Sequence, residues 1–351
     1  MNIIQNSIRI INYEEQKITT METPNSFDIY VAELINHVSN NKSVREYKTR
    51  SNSTEVIGCI LSICANSSDE QLVAKKMDII ANRLLLKEIE AQKIIRRTDT
   101  TVQKGSLIQA LLFDDVKGKY VYLLSKVEHT EWVDDSDFSF KTGFSKEKKT
   151  MWKSCMFDLE NLAAAEFYAN IYSDTNAQYW SNKFLELDEV TSDESNTKKA
   201  FQAIEAALGR GFRGIVVPDH TIIRNHFIGY LKNNTHIDYP TMVNSILQNY
   251  QPVNMDLRTE DFENLKTRIE NIRCKLLEQP EKKNFDSQFN AVNSAIDGRI
   301  KKVYHINDGI DLRISKDIDD LSNTINSVEE NGVRYIKIRT TNIDTFKRFC
   351  F

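Results

Sequence analysis

The chain has 351 residues, of which 40% are hydrophobic and 27% are charged, and its formal net charge is −4. This balance is typical of a globular protein and excludes a largely disordered chain. No apolar stretch approaches the ~20 residues that span a bilayer, and the start, MNIIQNSIRIINYEEQK, lacks the pattern of a secretory signal. We therefore expect a cytosolic protein of two or three domains with no membrane partner.

The cysteines are scattered along the chain and odd in number. They are Cys59, Cys64, Cys155, Cys274 and Cys350. None forms a Cys-x-x-Cys pair and no paired histidines lie near them, so the sequence indicates neither a zinc site nor a disulfide framework. We expect buried free thiols, no metal and no cofactor.

The first half begins with a predicted strand and turn within residues 2–20, followed by a helix in SFDIYVAELINHVSNN. A segment rich in Ser, Asn and Thr, residues 39–54, is predicted to be a loop. A long helix is predicted to start at Ser68, because Ser68 and Gln71 have the spacing of a capping box. Its apolar residues recur at helical spacing, so we expect it to pack in the core.

Strands predominate in the segment that follows. In SLIQALLFDDVKGKYVYLLSKVEHTEW, two runs of aliphatic and aromatic residues flank the turn 114–118, which predicts a β-hairpin. FSFKTGF, KTMWKSCMFDL and AEFYANIYS predict further strands. Together these elements predict an α+β fold, with a mixed or antiparallel sheet and helices in a domain of residues 1–187.

Four helices are predicted in a second domain, residues 188–280. The first has a capping box at Thr191 and Glu194 and a glycine stop at Gly209. The last has apolar residues every three or four positions along its length.

Residues 285–351 predict a small C-terminal subdomain. A hairpin is centred on Asn307-Asp308-Gly309, where glycine accepts the positive φ of a tight turn. A short helix over residues 317–326 and the strand VRYIKIRTT complete this piece.

The stretch KTGFSKEKKTMWKSC, residues 141–155, is a cationic run in an acidic chain. Its lysines are Lys141, Lys146, Lys148, Lys149 and Lys153. Such a cluster would bind a polyanion by releasing counterions, and the binding would weaken steeply with salt. The alternative is a solvated loop whose lysines pair with the acidic stretch just upstream. That stretch contains Glu128, Glu131, Asp134, Asp135 and Asp137.

Two further cationic clusters have both a functional and a structural interpretation. The C-terminal patch contains Tyr335, Lys337, Arg339, Lys347 and Arg348. If Ile336 and Ile338 face inward, this patch would suit a nucleic-acid backbone or stacked bases, although an edge strand protected by charges has the same pattern. The third cluster contains Lys93, Arg96, Arg97 and Lys104. Cations at a helix C-terminus complement the helix dipole, which favours a structural role there.

Catalysis has one candidate. Asp135, Glu147 and Lys149 fit the loose Asp…Glu-x-Lys order of metal-dependent nucleases, in which carboxylates hold Mg²⁺. A segment so rich in charge matches this order easily by chance. No Gly-x-Ser-x-Gly, His-Glu-x-x-His or dinucleotide fingerprint is present, so the sequence favours a protein without catalysis.

In the order of its segments, the chain resembles the NdpA-like nucleoid-associated proteins of bacteria. The resemblance is carried by IRIINYEE, GSLIQALLFDDVKGKYVYLLSKVEHTEW, KKTMWKSCMFDL and AQYWSNKFLEL, and by the acidic entry into a helical region. It spans roughly residues 1–275 and implies a cytosolic protein that associates with double-stranded DNA and the nucleoid, without a well-defined catalytic site. The last 65 or so residues depart from the family, which suggests a partner surface or a second DNA contact.

We therefore expect non-catalytic, largely sequence-tolerant binding of double-stranded DNA, through the lysine run and the C-terminal patch. One alternative is a nucleic-acid-processing or anti-phage component with metal-dependent nuclease activity. Another is a scaffold that binds a partner protein through the helical domain or the C-terminal piece. A homodimer is compatible with all three.

Overall fold

The chain divides into two compact units, residues 1–191 and residues 192–351. The computed structural model describes residues 1–21, 27–40, 43–95, 105–128, 130–133, 140–143, 151–173, 179–253 and 259–350. Within these ranges, no helix combines the length and the apolar character that crossing a bilayer requires.

The first unit is built on an eight-stranded antiparallel sheet. Its strands and those of a separate two-stranded ribbon, β6–β7, are β1 Asn2–Asn12, β2 Lys17–Thr20, β3 Arg45–Thr49, β4 Gly105–Asp114, β5 Lys119–Glu128, β6 Thr130–Val133, β7 Phe140–Gly143, β8 Met151–Leu159, β9 Tyr168–Ser173 and β10 Leu187–Glu189. The order across the sheet is β10-β3-β9-β8-β5-β4-β1-β2. The predicted α+β class and the predicted hairpin of β4 and β5 are confirmed.

Helices cover both faces of this sheet. They are α1 Phe27–Asn40, α2 Glu55–Ala65 and α3 Glu70–Ile95, with a π-helical turn at Tyr179–Phe184. Alternate strand residues point to opposite faces, so Leu107 and Leu111 pack with α2 and α3, whereas Ile108 and Leu112 pack with α1. Because both faces are covered, β4 is buried along almost its whole length.

The second unit is mainly helical. Its helices are α4 Asp193–Gly211, α5 Pro218–Asn233, α6 Tyr239–Leu247, α7 Thr259–Leu277, α8 Gln279–Lys283, α9 Asp297–Ile300, α10 Leu321–Thr324 and α11 Ile343–Arg348. Its strands form three two-stranded pairs: β11 His236–Asp238 with β12 Gln288–Asn290, β13 Lys302–Asn307 with β14 Ile310–Ile314, and β15 Ile325–Glu330 with β16 Val333–Ile338. Phe285, Phe289, Ile296 and Ile300 pack into the same core as the helices.

Both predicted capping boxes are displaced in the structure. The amide of Leu72 donates to Asp69 Oδ1 at the start of α3, and the amide of Ser195 donates to Ser192 Oγ at the start of α4. The sequence offered several capping residues in a row at each site, and the side chain one position further along provides the cap. Helix α4 also continues past the predicted stop at Gly209.

Strand β3 and helix α2 of the first unit were not predicted. The predicted loop, residues 39–54, contains strand β3, which pairs with β9 and β10 inside the main sheet. Helix α2 follows this strand directly and buries Val56, Ile57 and Ile60. A further prediction was wrong in part, since Cys59, Cys64 and Cys155 are buried but Cys274 and Cys350 are exposed.

Candidate nucleic-acid interface

Four strand ends lie side by side at one end of the main sheet. Gly105 at the start of β4 is opposite Glu128 at the end of β5. Val127 of β5 is opposite Met151 at the start of β8. Further along, β8 is aligned with the end of β9. The connections that precede β4 and link β5 to β8 therefore leave the sheet from the same edge, which we call the cationic end.

Two of the three cationic clusters are attached to this edge. Lys93, in the last turn of α3, is exposed, and Arg96, Arg97 and Lys104 belong to the connection from α3 to β4. The lysine run belongs to the connection from β5 to β8. Residues 96–104 and 144–150 lie outside the described residues. The structure shows where each of these connections joins the neighbouring helix or strand. The two clusters are far apart in the sequence, but the strand register places the strand ends to which they are joined at the same edge of the sheet.

The ribbon of β6 and β7 bears on the alternative in which the lysines pair with the acidic stretch. Val133 pairs with Phe140 at one end of the ribbon, and Thr130 pairs with Gly143 at the other. Residues 134–139, with three of the carboxylates, connect the first pair, whereas residues 144–150 continue from the second. The two pairs are about 10 Å apart, because a strand rises ~3.4 Å per residue. The acidic and basic connections therefore start from opposite ends of the ribbon.

A buried ion pair lies just inside the cationic end. Lys126 Nζ of β5 is 2.7 Å from Glu88 Oε1 of α3, and both side chains are almost fully buried. The distance defines a close ion pair, although its geometry is not that of a directed hydrogen bond. Removing either partner would leave a buried charge uncompensated, so the pair ties the end of α3 to β5.

Lys153 lies next to this ion pair. It is opposite Lys126 across the β5–β8 ladder, and residues that are directly opposite point to the same face of a sheet. Its side chain is buried, and its ammonium lies 5.1 Å from the centre of the Tyr179 ring. We therefore leave Lys153 out of the proposed phosphate contacts. Lys146, Lys148 and Lys149 lie outside the described residues, and Lys141 is in β7.

A glycine is required at position 105, the start of β4, because the backbone of β5 approaches it closely and not because the chain turns there. A Cβ at this position would lie 2.6 Å from the carbonyl oxygen of Val127 and 3.3 Å from Cε of Lys126. Any larger residue would push β4 and β5 apart. This contact fixes the strand ends from which the two cationic connections leave.

The C-terminal patch is part of the second unit, and most of its strand cations are already paired. Lys337 is 2.8 Å from Glu330, and Arg339 is 3.6 Å from Asp320. Exposed pairs of this kind reduce the field that a polyanion would meet. Lys347 and Arg348 lie in the last turn of α11, where cations also complement the helix dipole.

The expectation that Ile336 and Ile338 face inward is wrong. They lie on the face of β16 opposite to Tyr335 and Lys337, as the alternation predicts, but they are 45% and 52% exposed. In the described part of the chain, nothing buries either face of β16. The alternation gives the faces of a strand, and it does not show that a core lies against one of them.

The nuclease candidate lies outside the described residues, because none of Asp135, Glu147 and Lys149 is among them. In the ranges that the structure covers, no group of three or more His, Cys, Asp or Glu side chains is placed to hold a metal ion. Burial raises the pKa of the Cys64 thiol to about 12, so this cysteine is a protonated core residue and not a nucleophile.

Comparison with known proteins adds no relative to this description. No family model, no curated protein and no solved structure matches the chain.

Sequence reasoning missed the residues that organise the cationic end. The sequence analysis assigned no role to Glu88 or to Lys126. A signal was present, since Lys126 lies, with Ser125, between the apolar run YVYLL and Val127 in a strand with apolar residues on both faces. A lysine in such a run is rarely buried unless it is paired.

Proposed function

We propose that this protein binds double-stranded DNA without catalysis, and that the cationic end of the sheet in the first unit is the binding surface. The observation that supports this most directly is the alignment of the ends of β4, β5 and β8. It attaches the connection with Arg96 and Arg97 and the connection with Lys148 and Lys149 to one edge. Clustered cations of this kind bind phosphates whatever the base sequence.

The composition of this surface favours sequence-tolerant binding. Arg and Lys contacts to phosphate position a protein on duplex but carry no direct sequence information. The overall charge of −4 opposes adhesion of the rest of the chain to DNA, so a local patch must supply the attraction. In the cell, such a protein would be found with the nucleoid.

The first test is binding to a short labelled duplex across a salt series, with and without Mg²⁺. The changes are Lys148→Ala with Lys149→Ala and, in a second variant, Arg96→Ala with Arg97→Ala. Each pair should weaken binding about tenfold on every sequence tested. Each should also lower the slope of log K against log salt by about 1 for every phosphate that the variant no longer binds. Both variants should behave alike, since both segments leave the same edge.

The matched control is Lys282→Ala with Lys283→Ala, which removes the same charge from an exposed part of the second unit. It should leave the affinity within about twofold of the parent. Equal weakening in all three variants would mean that overall charge, not the cationic end, drives binding. Mg²⁺-dependent cleavage of the duplex, abolished by Glu147→Ala, would replace this proposal with the nuclease hypothesis.

A further inference from the structure

The last 49 described residues have regular secondary structure but no core of their own. We call residues 302–350, which contain β13 to β16, α10 and α11, the C-terminal segment. Not one of its residues is buried, whereas Ile300, two residues before it, is 1% exposed. It is attached to the helical body through Asn225, whose side-chain amide exchanges two hydrogen bonds with the backbone of Ile318.

This segment is rich in large apolar residues as well as in charges. It contains 17 large aliphatic or aromatic residues. Nine of them are exposed: Val303, Ile310, Val333, Tyr335, Ile336, Ile338, Ile343, Phe346 and Phe349. An isolated two-stranded hairpin is marginally stable in water, and two such hairpins without a shared core do not stabilise each other. Burial of this apolar surface therefore requires a partner that is not among the described residues.

Three of the exposed residues lie on α11 or at its C-terminal end. Ile343, Phe346 and Phe349 are three positions apart and are 66%, 62% and 72% exposed. The helix is capped, since the amide of Thr345 donates to Asn342 Oδ1. Ile343 and Phe346 lie about one turn apart on α11, and Phe349 follows at its C-cap, so this end of the C-terminal segment presents exposed apolar side chains.

The charges of the C-terminal segment are divided between its two halves. Residues 308–330 contain seven carboxylates and two cations, and residues 331–350 contain five cations and one carboxylate. Within one chain, Arg334, Lys337 and Arg339 pair with carboxylates of the acidic half. Lys347 and Arg348 of the basic half, and Asp317 and Asp319 of the acidic half, can attract their counterparts in a second copy. A two-fold arrangement can place the basic half of each copy against the acidic half of the other. Because the whole segment has as many carboxylates as cations, its charge favours a copy of itself over a polyanion.

We propose that the C-terminal segment is a homodimerisation element, in which two copies bury their apolar surfaces against each other around a two-fold axis. The nine exposed residues present on the order of 600 Å² of apolar surface. This matches the apolar share of a standard interface, which buries about 800 Å² on each partner. The proposal is independent of DNA binding, which is assigned to the first unit.

Sedimentation or light scattering at micromolar concentration tests this with the full chain. The parent should have twice the 40.6 kDa mass of one chain. Phe346→Asp with Phe349→Asp should raise the dimer dissociation constant at least ~30-fold, because charges would replace two anchors of the interface. The control Val216→Asp changes a fully exposed apolar residue outside the segment, and its dimer should be unchanged. A parent that is monomeric at these concentrations would overturn the proposal.

Mixing two charge-reversed variants tests the arrangement even if the Phe variant folds poorly. The first variant has Lys347→Glu and Arg348→Glu, and the second has Asp317→Lys and Asp319→Lys. Each alone should dimerise at least ~10-fold more weakly, because like charges would face each other. Mixed in equal amounts, they should form a heterodimer, since opposite charges meet again at both contacts. Two variants that dimerise as well as the parent, or a mixture that stays monomeric, would contradict the two-fold pairing.

Discussion

The main sheet and the C-terminal segment use similar strands in opposite ways. KYVYLLSKVE in β5 and VRYIKI in β16 both combine β-branched, aromatic and cationic residues. In β5 the apolar side chains from Val121 to Val127, and Lys126, are buried, whereas all of β16 is exposed. The difference is in what lies against the strand, and that is a property of the tertiary structure. Burial of both faces makes β5 part of a core, and exposure of both faces leaves β16 at the surface of the described structure.

The largest expected effect comes from replacing a lysine that is buried in the main sheet, in comparison with a lysine that is exposed in the C-terminal segment. Lys126→Met should lower the free energy of unfolding of the first unit by about 3–5 kcal/mol, because Glu88 would be left as an uncompensated buried charge. Lys337→Met in β16 should cost less than about 0.5 kcal/mol, since its pair with Glu330 is exposed. Urea denaturation of each variant measures the difference.

The double variant Lys126→Met with Glu88→Leu is the control for this comparison. It should recover most of the stability, because two apolar residues can replace a buried ion pair with little change in the free energy of unfolding. A double variant as unstable as the single one would show that Lys126 stabilises the sheet through packing of its side chain and not through Glu88.

A smaller effect should separate a core phenylalanine from an exposed one. Phe157→Ala in β8 should lower stability by about 3 kcal/mol at any protein concentration, since the ring is fully buried. Phe346→Ala should change stability only as the protein concentration is raised into the range where dimers form. Thermal unfolding at two concentrations tests this. A Phe346→Ala effect that is independent of concentration would place the residue in an interaction within one chain.

The smallest effect is expected from pH and should be confined to the second unit. Burial lowers the pKa of His220, with a contribution from Lys302, and burial also lowers the pKa of His226. Both histidines are therefore more readily protonated in the unfolded chain. Their contribution to stability is complete above the unfolded pKa, near 6.5, and is lost as the pH falls through the folded values.

Replacing both histidines, His220→Gln and His226→Gln, should flatten the fall in stability between pH 7 and about pH 5.5. Urea unfolding at several pH values is the measurement, and the slope of the variant is compared with that of the parent. A parent whose second unit is no less stable at the lower pH would contradict the expectation.

The sequence predicted the elements whose patterns are local and regular. The hairpin of β4 and β5 and the helices α4 to α7 follow from turn residues and apolar spacing, and all are present. Strand β3, with the sequence REYKT, carries three charged residues in five, so only its pairing with β9 and β10 identifies it as a strand. Asn331-Gly332 is a strong hairpin signal that was not used, and both residues have the positive φ of such a turn.

The candidate site was less predictable than the fold. The charges of the lysine run and of the Arg96 cluster were visible in sequence, but their common edge follows from the register of β4, β5 and β8. The burial of Lys153 follows from its place beside Lys126, which no local pattern indicates. Long-range strand pairing decides which charges are neighbours, and this pairing cannot be predicted from the local patterns of a single sequence.

The strand order of the main sheet also constrains how the chain acquires its structure during synthesis. Strand β1 pairs with β4, about a hundred positions further along the chain, and β3 pairs with β9 and β10, which come later still. Contacts of such high sequence separation are slow to form, since a long loop must close before any of them is made. Strand β1 therefore cannot pair with β4 until β4 has left the ribosome, and β3 cannot pair with β9 and β10 until they have left it. Throughout this interval β1 is an isoleucine-rich strand without its β4 neighbour, so its edge is open to other chains in the growing protein and closed in the finished one.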